Sequence, residues 1–217
     1  DAVNYAVIVS NDAGSVTSAP AALSVLFPMP YCEPFNYPAG ANVGGQTTPG
    51  FLTWDDVGTS TAGPYVTAVA GNLNVVGLAA ATGNSIRFGG LGKSARFSFA
   101  PSATVTGGTL YYSFSLKVID TNGLSSSGIF IAGFNNTAGT QANQPTVIGT
   151  RLYIRAAPGG FNLGLAKNSS TSTDWVWDPR IFTTNQVIFL VGGYSFNPGS
   201  TTDGVSSLWI NPSASNF

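Results

Sequence analysis

Glycine and proline interrupt this chain so often that no stretch carries apolar residues at i, i+3, i+4 and i+7 free of both. The 27 glycines and 13 prolines are spread through the 217 residues, and a helix that must bury one face needs several unbroken turns. The segments between the interruptions are short and rich in β-branched and aromatic residues: "NYAVIVSN", "AALSVLF", "SIRFGG", "SARFSFA", "LYYSFSLKVID", "GIFIAGF", "TRLYIRAA", "FNLGLAK", "QVIFLVGGYSF" and "SSLWIN". Runs of this length and content, bounded by turn residues, read as strands. Their number and near-regular spacing predict an all-β chain folded as an antiparallel β-sandwich. The longest apolar run, "VIFLVGGY", is broken by glycine and falls far short of the roughly 18 residues of a membrane span.

Charge is the other constraint. Lys and Arg total 8 and Asp and Glu total 9, so charged residues make up 8% of the chain and the net charge is -1. An average soluble protein carries about 25%. Nucleic acid and anionic membrane both require clustered cations, so neither is expected as a partner, and no membrane insertion is expected. Disorder does not fit a chain that is 43% hydrophobic and 12% aromatic. Histidine is absent, which removes His-based triads, imidazole general bases and His-ligated zinc. The single cysteine, Cys32, is either a free thiol or a crosslink to another chain. Solubility resting on Ser, Thr, Asn and Gly rather than Lys and Glu points to an extracellular or cell-surface setting.

The N-terminal "DAVNYAVIVSNDAGSVTSAPAALSV" reads as strand, "NDAG" turn and strand, a hairpin over residues 1–27. It resembles the last two strands of a bacterial immunoglobulin-like domain, with Asp1 and Tyr5 in the Asp-x-x-x-Tyr pattern of a tyrosine corner. Val7 stands where many such domains place a cysteine, so the resemblance implies no inter-sheet disulfide. A hairpin alone is marginal in water. Either the rest of such a domain lies upstream, or the hairpin packs on another surface, such as a neighbouring molecule.

Residues 28–34, within "FPMPYCEP", read as a Pro-rich linker. From 35 to 217 the chain reads as one sandwich. Here "EPFNYPAGANVGGQ", Trp54 and the terminal "SSLWINPS" resemble secreted bacterial modules of the concanavalin A-like, laminin-G-like jelly-roll class. That class hosts lectins, adhesins, hydrolases, lyases and spacers, so the resemblance implies a fold and leaves function to the site.

Strand pleating assigns faces. In "LYYSFSLKV", Tyr112, Phe114, Leu116 and Val118 share one side, and Tyr111, Ser113, Ser115 and Lys117 the other. In "RLYIR", Leu152 and Ile154 point to the core, while Arg151, Tyr153 and Arg155 share the opposite face. In "ARFSFA", Phe97 and Phe99 oppose Arg96 and Ser98. If these strands are neighbours, their outer face offers aromatic planes and guanidinium donors, a surface suited to sugars. The alternative is an ordinary wet sheet face guarded by long side chains.

A second candidate is "TSTDWVWDPR". Trp175 and Trp177 are two apart, so in a strand they face the same way, beside Asp174, Asp178 and Arg180. Exposed, they make a glycan platform; buried, they anchor a core. Trp54, followed by Asp55 and Asp56, carries the same ambiguity, and Trp209 in the terminal strand reads as core. No cofactor is expected. Calcium is the one ion the loops leave open, with Asp120, Asn122 and Asp203 as candidate oxygen ligands in turns. The same Asx-Gly sequences are ordinary turn chemistry.

Catalysis is weakened by subtraction. The resemblance implies paired glutamates in laminarinase-like members and a histidine in alginate-lyase-like members. This chain has one glutamate, Glu33, in the expected linker, and no histidine. Asp174 with Asp178, and Asp55 with Asp56, are the close aspartate pairs that remain for glycosidase chemistry. The chain is therefore read as no enzyme but a non-catalytic module for glycan binding or adhesion within a larger secreted or cell-surface bacterial protein. Its partner would be polysaccharide or cell-surface glycan. The alternative is a structural subunit of an extracellular fibre or matrix, with copies of itself as partner through strand addition by the hairpin. A polysaccharide-active enzyme is the weaker third reading.

Overall fold

The computed structural model describes residues 4–22, 30–49, 52–58, 64–89, 92–98, 107–135, 145, 147–199 and 204–213. Two compact units divide the chain, a small one containing Asp1–Cys32 and a large one containing Glu33–Ser98 and Thr104–Phe217. Among the described residues the regular structure is antiparallel strand, with one short 3₁₀ turn at Ser172–Asp174 and no α-helix.

In the small unit, β1 (Asn4–Tyr5) pairs with β4 (Ala21–Ala22), and β2 (Ile8–Asn11) pairs with β3 (Gly14–Thr17). The "NDAG" turn forms as its residues dictate. The Asn11 Oδ1 accepts from the Ala13 amide at 2.9 Å, and Gly14 takes φ +145°, where a side chain would be strained. Ser18 continues the pairing by donating its amide to the Val7 carbonyl at 2.9 Å. Residues 5–21 are all exposed. Tyr5 is among them at 53%, while its expected corner partner Asp1 lies outside the described residues.

The large unit holds β5 (Asp55–Val57), β6 (Thr67–Val69), β7 (Ser85–Arg87), β8 (Ser94–Arg96), β9 (Gly108–Lys117), β10 (Ile129–Asn135) and β11 (Ile148–Ala157). It continues with β12 (Gly160–Ala166), β13 (Val176–Trp177), β14 (Val187–Phe196) and β15 (Val205–Ile210). One sheet is the meander β10-β11-β12-β13, and a second has the order β15-β14-β9. The chain leaves the second sheet after β9, builds the first, and returns to complete the second. Alternate residues of both sheets meet in one apolar layer. Leu152, Phe161, Leu163, Ile188 and Leu190 are fully enclosed there, with Phe114, Leu116, Leu208 and Ile210 packed against them. Period-two alternation thus supplies each sheet with one face to bury.

A buried polar clasp joins these sheets. Thr150 on β11, 0% exposed, donates its hydroxyl to the Gly193 carbonyl of β14 at 3.0 Å and lies 3.1 Å from the Ser206 hydroxyl of β15. Tyr112 of β9 donates its phenol to the Thr150 carbonyl at 3.0 Å. Burial pushes the Tyr112 phenol well above its ordinary pKa. Thr150 adopts φ +49°, a conformation costly for a β-branched residue that persists because its hydroxyl, carbonyl and amide are all engaged.

A second apolar cluster gathers Tyr37, Val43, Trp54, Val66 and Ala68, with Phe35, Ile86 and Phe97 against it. It is flanked by the two-stranded pairs β5–β8 and β6–β7. Glu33, the last residue but one of the expected linker, ties this cluster together. Its carboxylate accepts from the Phe35 amide at 2.7 Å, the Tyr37 phenol at 3.0 Å and the Trp54 indole at 3.3 Å. The Trp54 nitrogen also donates to the Tyr37 oxygen at 3.1 Å. A carboxylate among apolar rings is tolerable because its oxygens have donors.

Candidate functional site

The outer face of the meander sheet collects most of the residues singled out by the sequence. Leu152 and Ile154 point inward at 0% and 5% exposure, so Arg151, Tyr153 and Arg155 stand on the other side of β11. Tyr153 is nonetheless buried, because the Trp175 ring lies almost flat on it at 3.8 Å and 21°. The expectation of Tyr153 as an open stacking plane is corrected: Trp175 occupies that plane. Phe130 of β10 meets Tyr153 edge-on at 6.2 Å.

Glycine makes the next layer. Gly164 of β12 pairs with Tyr153 on one side and Trp177 on the other. A Cβ there would fall 2.6 Å from the Trp177 ring, so the indole lies on bare backbone. Trp175 precedes β13, and its ring meets Trp177 edge-on at 6.1 Å and 65°. Two aligned indoles, as the two-residue spacing suggests, do not form, because Trp175 is drawn onto Tyr153.

Both arginines lie over rings. The Arg155 guanidinium is 4.2 Å from the Trp177 centroid, and Arg151 is 5.8 Å from that of Phe130, cation–π geometries that fix a guanidinium plane. Arg155 donates from Nε to the Asn162 Oδ1 at 3.3 Å, and Arg151 donates from a terminal nitrogen to the Tyr153 oxygen at 3.3 Å. Neither has a carboxylate partner among the described residues. The Arg151 Nε and the Trp175 Nε1 are buried with no hydrogen-bond partner among the described residues.

Tyr111 and Lys117 are elsewhere. Both project from β9, on the outer face of the second sheet. The idea that the strands of Tyr111, Arg151 and Arg96 are neighbours is therefore corrected: β9, β11 and β8 lie in three different sheets. Tyr111 is 56% exposed and 6.1 Å from the Trp209 ring, with Gly193 leaving room between them. Trp209, read as core, stands on this outer face because Leu208 and Ile210 take the inward positions of β15. Arg96, read as outward, is buried, opposite Asp55 in the β5–β8 ladder. Trp54 belongs to the second apolar cluster.

The calcium candidates do not converge on described geometry. Asp120 accepts from the Asn122 amide at 2.9 Å, an Asx turn, and Asp203 lies outside the described residues. No group of three His, Cys, Asp or Glu side chains gathers among the described residues. Asp178 is held by Arg180 through a two-pronged ion pair, its oxygens accepting from Nε at 2.9 Å and from a terminal nitrogen at 2.6 Å. Those bonds hold its carboxyl below the ordinary range, which suits a fixed anion and not a proton donor. Asp55 and Asp56 are consecutive in β5 and so point to opposite faces. Burial raises the Asp56 carboxyl, with Lys93 opposing the effect and Asp55 adding to it. A shallow cleft of about 460 Å³ between the β12–β13 edge and β15 is lined by Leu165, Lys167, Asp174, Val176 and Leu208.

The arrangement can therefore grip planar or anionic groups on the β11 face, with guanidinium N–H groups set beside aromatic rings. Composition hinted at Arg and Trp. Glu33, Gly164 and Trp209 carried no local signal of their roles, because each depends on a partner distant in sequence. Compared with known proteins, the chain matches no family model, no curated protein and no solved structure.

Proposed function

We propose that this chain is a non-catalytic module of a secreted or cell-surface bacterial protein, binding polysaccharide or cell-surface glycan through the outer face of β10–β13. The proposed topology is a concanavalin A-like jelly roll, in keeping with the resemblance of residues 35–217. One observation carries the reading: Arg151 and Arg155 lie over aromatic rings on one strand face, without a carboxylate partner among the described residues. Sugars present hydroxyls that accept from guanidinium groups, an interaction that needs no proton transfer, and the rings beneath the two guanidiniums hold their planes. Electrophoresis through gels containing dissolved polysaccharides tests it. The expected result is retardation by at least one polymer, lost in Arg155→Ala and Trp177→Ala. Unchanged mobility in a broad panel of polysaccharides would overturn the reading.

The exposed hairpin favours a second reading, a structural subunit. Val7, Ile8, Val9 and Val16 are 65–74% exposed on β2–β3 and its flank, a concentration of apolar surface suited to sheet addition by another copy. Sedimentation across a concentration series should then show association that Val9→Lys abolishes. A monomer at every concentration would remove this reading.

A further inference from the structure

Resting on the glycan reading, we infer that the β11 face selects acidic polysaccharides, polymers bearing carboxylate or sulfate groups at repeated positions along the chain. Neutral glycans need hydroxyl acceptors and donors in roughly equal measure. This face offers donors. Arg155 uses Nε on Asn162, which leaves its four terminal N–H groups without a partner among the described residues. Arg151 uses one terminal N–H on Tyr153, which leaves its other three terminal N–H groups without a partner among the described residues.

A guanidinium is a fork matched to two oxygens of one oxyanion, and charge-assisted bonds of this kind are stronger than neutral ones. The rings of Trp177 and Phe130 beneath the two guanidiniums set their planes in advance, so little freedom is lost on binding. The nearby carboxylate of Asp178 is already committed to Arg180 and does not cancel them. The two arginines are four residues apart on one strand, about 13 Å at a rise of about 3.3 Å per residue. A single acidic sugar cannot bridge that distance, whereas a polymer with repeated acid groups engages both and gains by effective concentration. Nucleic acid also offers anions and planar bases, but the whole chain carries only eight Lys and Arg, too few for a long phosphate track.

The test measures binding of a polyuronate, a sulfated galactan, a neutral β-glucan and a single-stranded oligonucleotide, each at low and high salt. The polyuronate, the sulfated galactan or both should bind at least about tenfold tighter than the glucan, and weaken with salt. A uronic acid monosaccharide should bind about 100-fold more weakly than the polymer. Arg155→Gln and Arg151→Gln should each cost about tenfold, and Arg155→Lys should lose most of that despite keeping the charge. Near-UV circular dichroism of the tryptophans verifies that each variant remains folded. Equal, salt-insensitive binding of acidic and neutral polymers overturns this inference while leaving glycan binding intact. Binding of no polysaccharide overturns both. Oligonucleotide binding as tight as that of the best polysaccharide also overturns it, because the face would then read phosphate.

Discussion

The β2–β3 and β11–β12 hairpins are built on the same local plan and end in opposite environments. Each turns on two residues, Asp12–Ala13 in one and Pro158–Gly159 in the other, with the flanking pairs Asn11↔Gly14 and Ala157↔Gly160 in register. Each carries branched apolar side chains. Ile8, Val9 and Val16 are 67%, 68% and 74% exposed, whereas Leu152, Phe161 and Leu163 are 0% exposed. Turn chemistry and alternation suffice to pair two strands. They do not remove apolar area from water, and it is that area, at about 25 cal/mol per Å², that stabilises a sheet. The second hairpin has neighbours in its own sheet and β14 and β15 across the core; the first displays both faces of its ribbon.

The contrast can be broken most forcefully in the enclosed hairpin. Phe161→Ala should destabilise the large unit by about 3–5 kcal/mol in chemical denaturation, since it empties the centre of the inter-sheet layer. A loss under about 1 kcal/mol would mean that the layer is not the cooperative core. A smaller effect probes what holds the two sheets in register. Thr150→Val keeps shape but removes the hydroxyl shared with Gly193 and Ser206, and should cost about 1–3 kcal/mol. Stability unchanged by this substitution would show that the clasp is incidental to sheet packing. Val16→Ser in the exposed hairpin should change the stability of the isolated chain by less than about 0.5 kcal/mol. A large loss there would mean that this side chain is covered in solution, and would sharpen the case for association through the hairpin.

Much of the local structure was legible. Each of the ten apolar segments contains a strand, although "NYAVIVSN" divides into β1 and β2. In "AALSVLF" the described strand is limited to Ala21–Ala22. The strands that escaped notice, β5, β6 and β13, have two or three residues each, too few to display a period. The inward sets on β9 and β11 follow the pleat as read. The site was legible only in part. Arg151 and Arg155 share a face because they are an even number of residues apart, which is a local fact. The covering of Tyr153 by Trp175, and the separation of Tyr111 from both arginines, are not local.

Sequence alone therefore determined the all-β character, the turns and the inward-facing sides of β9 and β11. These follow from backbone sterics at Gly and Pro and from a two-residue period, both of which act within a few residues. Tertiary structure decided the partners: β9 beside β14, Glu33 at the indole N–H of Trp54, Trp177 on the bare backbone of Gly164. Each of these joins segments far apart in the chain, and such a pairing survives only when the packing of the whole core repays the entropy of closing the loop between them.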